Sequence, residues 1–142
     1  MRSERYYLDS NIVYFIAAEK KYELTAEVSD IIDEPGFFKY VPSKCVEELI
    51  YLQQSGKIKV KNWKSAEDIV GYIEDVLSYE IVYVNKSHLL KLAELPLFPD
   101  HKDQTDRIII AQAIADKIPL ISSDEKFNDY KRSKLGFIFN ER

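Results

Sequence analysis

The chain has 142 residues, enough for one domain with its own core, and it carries a formal net charge of -4. Hydrophobic residues make up 46% of it and charged residues 31%, with 4 Gly and 5 Pro, which excludes disordered and collagen-like chains. Its net negative charge argues against broad electrostatic adhesion to nucleic acid but is compatible with a local basic rim around an acidic site. We therefore expect a single globular domain over residues 1–142.

Two further features concern the cellular compartment. No apolar run approaches the roughly 20 residues of a membrane span, and residues 1–5 lead into a strand rather than a signal-peptide core. We therefore expect a cytoplasmic protein with no membrane partner. The single cysteine, Cys45, excludes an internal disulfide, and its apolar neighbour Val46 favours a small buried side chain over a nucleophile.

Apolar runs of strand length alternate with segments of helical periodicity along the chain. The first run, residues 5–8, predicts a strand that the turn residues Asp9, Ser10 and Asn11 end before a helix begins. The later elements, delimited by Pro, Gly and polar turns, are a helix at 24–33, a strand at 37–41, a helix at 43–54 with Ser43 as N-cap, a helix at 64–78, a strand at 81–84, a helix at 87–95, a loop at 96–105, a helix from Gln104 or Thr105 to about Lys117, a strand at 119–122, a turn at 131–134 and a strand at 136–139.

This alternation predicts an α/β fold, with a central parallel sheet flanked by helices on both faces. Ligands of such sheets lie beyond the carboxyl ends of the strands. Asp9 and Asp124 each follow a predicted strand, whereas Glu48 and Asp106 lie in the first turns of helices that begin at the same edge. We expect these four carboxylates to converge on one rim of the sheet.

Clustered carboxylates at such a rim are ligands for a hard divalent cation. Three of the four follow or interrupt apolar runs, where an unpaired buried charge costs on the order of several kcal/mol. Mg²⁺ or Mn²⁺ would offset that cost and supply a Lewis acid and an activated water. For any one acid alone, a helix cap or turn is the simpler explanation, and Asp9 beside Ser10 is an example. The joint pattern favours a metal site.

Other strand-edge sites fit the sequence less well. A dehalogenase-like phosphoryl acceptor needs a second Asp two positions after Asp9, where Asn11 stands, and the acidic pair and late strand-end lysine of a receiver-type switch are missing. The chain has no glycine-rich phosphate loop. Zinc is disfavoured because His88, His101 and Cys45 lack ligand spacing, and we expect His88 to be a solvated helix residue.

Four segments in order along residues 5–139 make the chain resemble the PIN-domain nucleases, and most of all the VapC-like ribonuclease toxins of toxin–antitoxin pairs. The segments are YLDSNIV at 7–13, EELIYLQQSGKI at 47–58, HKDQTDRIIIAQA at 101–113 and LISSDEKF at 120–127. The resemblance implies a PIN-like three-layer fold, a homodimer and a small antitoxin whose tail covers the site. It implies that the catalytic, metal-binding cluster consists of Asp9, Glu48, Asp106 and Asp124, with Ser10 or Ser122 as the neighbouring hydroxyl, Asn11 as the turn partner and Arg107 as the helix-start arginine.

The chain departs from the family pattern at two places. Gln104 and Thr105 stand where members commonly have a proline and an aromatic residue, and Glu47 stands where a tryptophan often precedes the helix glutamate. Glu47 and Glu48 leave a helix about 100° apart, so only one of them can face the metal, and the motif selects Glu48. Asp103 is either an outer acid or a helix cap.

The function that this resemblance implies is Mg²⁺- or Mn²⁺-dependent hydrolysis of RNA phosphodiester bonds. Two alternatives stay open: a PIN-fold binding module that acts through a protein partner, and a metal-dependent DNA nuclease for flaps or ends. The apolar segments 12–15 and 46–52 fit either an interface or the core. Candidate phosphate contacts, each of which is more simply explained as solvated surface, are Lys44, Lys57, Lys59, Lys102, Arg107 and Lys126. Candidate base-stacking residues are Tyr14, Tyr51, Phe98 and Tyr130, although core packing is the better explanation for at least half of them.

Overall fold

The structure is a computed structural model that describes residues 4–100 and 103–142. Helices and strands alternate in the predicted order. In chain order the elements are β1 Arg5–Leu8, α1 Ser10–Ala17, α2 Ala26–Asp33, β2 Phe38–Pro42, α3 Ser43–Gln54, α4 Ala66–Gly71, β3 Glu80–Val82, α5 Lys86–Glu94, α6 Gln104–Asp116, β4 Leu120–Ser122 and β5 Phe137–Phe139. Two 3₁₀ segments, Lys21–Glu23 and Glu125–Ser133, and a π-helical turn, Tyr72–Val76, complete the list.

The five strands form one parallel sheet in the order β3-β2-β1-β4-β5. The chain builds outward from β1 through β2 to β3 and then returns to the other side of β1 with β4. The order therefore reverses between β1 and β4, where Tyr7 lies beside Leu120 and Leu8 beside Ile121. Such a reversal opens a crevice at the carboxyl ends of the two strands, the usual ligand position in an open α/β sheet.

Helices cover both faces of the sheet, so the predicted three-layer α/β architecture is confirmed. β1 and β4 are buried on both faces, as expected for central parallel strands, and include the fully buried Leu8, Leu120 and Ile121. Helix α6 has Ile108 to Ile114 buried around its whole circumference, and its Gln112 and Asp116 contact the Tyr7 hydroxyl of β1. Its first turn thereby has a fixed position at the carboxyl edge of the sheet. None of the described helices is long and apolar enough to span a membrane.

Two local predictions were wrong, and a third element was missed. The predicted N-cap of α3, Ser43, is instead the first helical residue, because Pro42 ends β2 at φ -59° and the chain enters the helix directly. The predicted helix 64–78 is divided into α4 and a π-helical turn. Residues 125–133 form a 3₁₀ segment, and the buried Phe127 and Tyr130 on it are three residues apart, which matches three residues per turn.

His88 is fully buried, which contradicts its prediction as a solvated helix residue. Its Nδ1 accepts the backbone N–H of Asn85 at 3.1 Å, and its Nε2 lies 2.9 Å from Asp116 Oδ2 at the end of α6. The Tyr7 hydroxyl donates to the same carboxylate at 2.5 Å. The Asp116 carboxylate is therefore the centre of a polar network that joins α5, α6 and β1.

Candidate metal-binding cleft

An open cleft of about 550 Å³ lies at the carboxyl edge of the sheet, beside the reversal between β1 and β4. All four acids predicted for the site line it. The residues that line the cleft are Asp9, Ser10, Asn11, Tyr14, Phe15, Lys20, Glu48, Leu49, Leu52, Ile58, Asp100, Asp103, Asp106, Asp124, Lys126 and Arg142. The convergence expected from the topology is therefore present, with Asp100 and Asp103 as additional acids.

Asp9 is the innermost carboxylate, only 5% exposed, and follows β1 directly. It caps α1 by accepting the backbone N–H of Ser10 at 2.8 Å on Oδ1. The fully buried Cys45 thiol donates to the same oxygen at 3.4 Å, in agreement with its predicted burial. The capping explanation and the cleft position therefore both apply to Asp9.

Ser122 and Asn11 hold the other oxygen of Asp9. The Ser122 hydroxyl, fully buried at the end of β4, donates to Oδ2 at 2.7 Å, and Asn11 Nδ2 donates to it at 3.3 Å. Asn11 also accepts the backbone N–H of Ser123 at 3.1 Å. These bonds connect the ends of β1 and β4 and fix the orientation of the Asp9 carboxylate.

Glu48 lies in the second turn of α3, and the Ser10 hydroxyl donates to its Oε1. Its neighbour Glu47 points elsewhere, with a side chain that is 63% exposed and 3.4 Å from Lys44. The two hydroxyls suggested by the family resemblance thus both contact acids, Ser10 contacting Glu48 and Ser122 contacting Asp9. Glu48 faces the cleft and Glu47 faces solvent.

The first turn of α6 brings Asp103 and Asp106 to the cleft. Asp103 is the N-cap and accepts the backbone N–H groups of Thr105 and Asp106 at 2.8 and 3.1 Å. The capping role that would explain Asp106 without a metal thus belongs to Asp103. Gln104 and Thr105, which replace the family's proline and aromatic residue, are the first two residues of the helix and keep it capped.

Asp124 follows β4 by two residues and caps the 3₁₀ segment, accepting the backbone N–H of Lys126 at 3.0 Å. Its own backbone N–H donates to Ser122 Oγ at 3.0 Å. Ser122 therefore contacts both Asp9 and Asp124, the two acids on opposite sides of the crevice.

Burial and mutual repulsion raise the pKa values of the inner acids. The pKa of Asp9 is raised, chiefly by burial and further by the charge of Asp124, although the hydrogen bond from Ser122 opposes the shift. Burial also raises the pKa of Glu48, and the charges of Asp9, Asp103 and Asp124 add to the effect. Mutual repulsion of this kind identifies a cluster that a cation would stabilise.

The donor chemistry fits a hard divalent cation, because carboxylate oxygens predominate among the polar atoms of the cleft. The arrangement is open, however: within residues 4–100 and 103–142, no three His, Cys, Asp or Glu side chains are close enough to hold an ion together. The hydroxyls and backbone N–H groups described above hold Asp9, Glu48 and Asp124 instead. The residues fit the cation in type and in location.

The cations of the cleft differ from those predicted. Lys126 lines it, as predicted, but Arg107 is 5% exposed and donates to the backbone oxygen of Pro96 at 2.6 Å, so it has no access to a phosphate. Lys44, Lys57 and Lys59 lie outside the cleft, and Lys102 lies outside the described residues. The cleft also contains Lys20 and Arg142, which sequence analysis missed because neither belongs to a motif.

Of the predicted stacking residues, Tyr14 lines the cleft, and Lys20 Nζ donates to its hydroxyl at 3.2 Å. Tyr51 is exposed outside the cleft. Tyr130 is fully buried, and Phe98 packs edge-on against it with ring centroids 5.0 Å apart. Tyr130 therefore belongs to the core, and so does most of the segment 12–15, where Ile12, Val13 and Phe15 are buried.

Comparison with solved structures shows the same fold in two VapBC structures and in one of FitAcB. VapBC2 from Rickettsia felis, bound to a DNA fragment from its promoter, gives a TM-score of 0.67 at 18% identity, covering 96% of this chain and 99% of that chain. VapBC-1 from nontypeable Haemophilus influenzae gives 0.62 at 16% identity, covering 95% of this chain and 97% of that one. FitAcB from Neisseria gonorrhoeae gives 0.62 at 16% identity, with coverages of 95% and 96%.

No curated protein sequence matches the chain. The sequence model of the PIN domain matches residues 6–133. This range includes β2, β3 and β4 in full, β1 without its first residue, and all four predicted acids, whereas β5 lies beyond it. The chain therefore belongs to the PIN domain family.

Proposed function

We propose that this protein is a Mg²⁺- or Mn²⁺-dependent endoribonuclease. The observation that carries the proposal is the convergence of Asp9, Glu48, Asp106 and Asp124 on one cleft at the sheet reversal of a PIN fold. Burial, together with repulsion within this cluster, raises the pKa values of Asp9 and Glu48, so the cluster gains from a cation. A bound divalent cation would supply charge for the scissile phosphate and lower the pKa of a bound water.

The protein's own residues would bind the cation, orient the attacking water and contact the RNA. Asp9, held on both oxygens by its hydrogen bonds, and Asp106, held by the buried helix α6, would bind the cation in a fixed position. Glu48 and Asp124 would complete the set of ligands or orient the attacking water. Lys126 would bind a phosphate oxygen at the rim of the cleft, and Tyr14 offers an aromatic face to an unstacked base.

We further propose that the protein is the toxin of a type II toxin–antitoxin pair. Support comes from the structural neighbours, which are complexes of VapB and VapC proteins or of the Fit pair and align over at least 95% of this chain. By this proposal a small antitoxin covers the cleft and the toxin forms a homodimer in the cytoplasm. Sedimentation of the purified protein tests the dimer, and a monomer at micromolar concentration would exclude it.

Cleavage of matched substrates tests the proposed activity. Single-stranded RNA and single-stranded DNA of one sequence are incubated with the protein in Mg²⁺, Mn²⁺ or EDTA. We expect internal cleavage of the RNA in Mg²⁺ and in Mn²⁺, and no cleavage of it in EDTA. Cleavage of DNA in preference to RNA would instead support the DNA nuclease alternative. A protein that cleaves neither substrate would support a PIN-fold module that acts through a partner.

A further inference from the structure

Residues 57–64 concentrate positive charge in a protein whose net charge is -4. The sequence KIKVKNWK contains Lys57, Lys59, Lys61 and Lys64 and no acidic residue. All four lysines are exposed, and in the described part of the chain none of their ammonium groups lies within ion-pair distance of a carboxylate. We call these four residues the lysine strip.

Apolar side chains between the lysines pack against the protein and hold the backbone of the strip in place. Ile58 and Val60 are half-buried between the exposed lysines, which gives residues 57–61 the alternation of an extended segment with one face inward. Trp63 is 4% exposed and packs edge-on against Tyr72 with centroids 5.8 Å apart. The lysines therefore project from a segment that is already fixed in the folded protein.

The strip is attached to the helix that carries Glu48. The backbone N–H groups of residues 57 and 58 donate to the carbonyl oxygen of Leu52 at 2.9 and 3.3 Å. At the other end, Gln53 Nε2 donates to the backbone oxygen of Trp63 at 3.4 Å. These three bonds to the last turns of α3 set the position of the strip relative to the cleft.

One residue joins the strip to the cleft directly. Ile58 and Leu52 line the acidic cleft, and Ile58 also lines a separate hollow of about 490 Å³ together with Lys59, Lys61 and Lys64. A polynucleotide that leaves the cleft over Ile58 would therefore pass onto a surface of opposite charge to the cleft. Such a change from acidic to basic surface suits a polynucleotide whose scissile phosphate binds a cation and whose neighbouring phosphates bind lysines.

An exposed aromatic ring lies at the start of the strip. Tyr51 is 56% exposed, and Lys57 Nζ lies 5.4 Å from its ring centroid. Exposed aromatic faces combined with lysines are the two elements by which proteins bind single-stranded nucleic acid without reading sequence. An acidic protein partner would use the lysines but has no comparable need for the ring.

We infer that the lysine strip and Tyr51 bind single-stranded RNA beside the scissile bond, with the lysines on phosphates and the ring on an unpaired base. This inference rests on the proposed ribonuclease function and extends it to the path of the substrate. Because the strip lies outside the acidic cluster, it holds RNA without a metal and contributes to long substrates only.

The test compares two double variants with the same change in charge. Lys59→Gln with Lys61→Gln removes two strip cations, and Lys86→Gln with Lys131→Gln removes two exposed cations outside the strip and the cleft. Binding of a labelled 12-nucleotide single-stranded RNA is followed by anisotropy in EDTA over a range of salt concentrations. We expect the strip variant to lower the slope of log affinity against log salt by about 1.4, since each phosphate contact on a single strand contributes about 0.7. The control variant should retain the parental slope.

Two further measurements separate this inference from the proposed function. Tyr51→Leu should weaken RNA binding without changing the salt slope, because stacking releases no counterions. With metal, the strip variant should raise KM for the 12-nucleotide RNA and leave cleavage of a dinucleotide unchanged. Parental binding by the strip variant, or equal losses in the two double variants, overturns the inference even if cleavage is normal. A protein that binds RNA through the strip but never cleaves it refutes the ribonuclease and retains the strip as an RNA-binding surface.

Discussion

Ser122 and Asp9 are 113 residues apart in the sequence, yet the Ser122 hydroxyl donates a hydrogen bond of 2.7 Å to the Asp9 carboxylate. The bond ties the end of β4 to the end of β1 at the reversal of strand order. It also stabilises the charged form of a buried acid, because it opposes the rise in the pKa of Asp9 that burial causes. A short polar contact between two strands thus tunes the innermost carboxylate of the site.

Ser122→Ala should therefore raise the pKa of Asp9 further. Cleavage requires the charged carboxylate, so the acid limb of the kcat/KM profile should move to higher pH, and the apo protein should lose about 1–3 kcal/mol of stability. Ser123→Ala is the matched control, because Ser123 accepts a hydrogen bond from Asn140 and makes none to Asp9. An identical pH profile for parent and Ser122→Ala would show that this hydroxyl does not tune the site.

The neighbouring acids of α3 should differ sharply in function. Glu48 lines the cleft beside Ser10, whereas Glu47 is exposed beside Lys44. We expect Glu48→Gln to reduce the rate of RNA cleavage about 100-fold or more, since removal of one group that stabilises the transition state has effects of that order. Glu47→Gln should remain within about twofold of the parent by the same comparison, because an exposed pair contributes little. Single-turnover rates measure both, and equal losses would remove Glu48 from the site.

Asp106→Asn should leave the apo protein as stable as the parent or more stable. The substitution removes one negative charge from a repelling cluster, and the N-cap of α6 is Asp103 rather than Asp106. The same variant should gain less stability from Mn²⁺, because a weaker site gains less from RT ln(1 + [L]/Kd).

Asp103→Ala provides the contrast, since it removes a cap and should cost about 0.5–2 kcal/mol. Thermal melts of both variants with EDTA and with a Mn²⁺ titration decide the point. A destabilised apo Asp106→Asn whose response to Mn²⁺ is unchanged would place this residue outside the metal site.

The raised pKa values of Asp9 and Glu48 predict how metal affinity depends on pH. A group whose folded pKa exceeds its unfolded pKa contributes stability below the unfolded pKa, and that contribution is lost as pH rises through the folded pKa. The apo protein should therefore lose this contribution on moving from acid to neutral pH. Stabilisation by Mn²⁺ should increase over the same interval, because the cation binds only the charged carboxylates. Melts at about pH 5 and about pH 7.5 measure both effects, and a response to Mn²⁺ that does not depend on pH would argue against Asp9 and Glu48 as ligands.

His88 should matter for folding and not for cleavage. Its imidazole is fully buried against Asp116, at the end of α6 opposite to the cleft. His88→Ala leaves a cavity and removes a partner of that carboxylate, so we expect a loss of about 2–4 kcal/mol in chemical unfolding. The folded fraction should cleave RNA at the parental rate, and a lower kcat at full folding would connect this network to catalysis.

Sequence patterns predicted the sheet because its central strands are apolar on both faces and end at polar turns. The position of the acids followed from topology, since Asp9 and Asp124 each come after a strand at the same edge. The burial of His88 was not predictable in this way, because its partner Asp116 is 28 residues away and only packing brings the two together. The prediction that Arg107 contacts a phosphate was wrong for the same reason. Its guanidinium binds the carbonyl oxygen of Pro96, a contact that leaves no local signal.

Removal and return of the metal tests the central claim most directly. RNA cleavage by the purified protein is measured in EDTA, after addition of excess Mg²⁺ or Mn²⁺, and again with a variant in which Asp9 is replaced by Asn. The account predicts no cleavage in EDTA, full recovery when either metal is restored, and no recovery for the variant, because four carboxylates without a cation repel a phosphodiester. Undiminished cleavage of RNA in excess EDTA would contradict it.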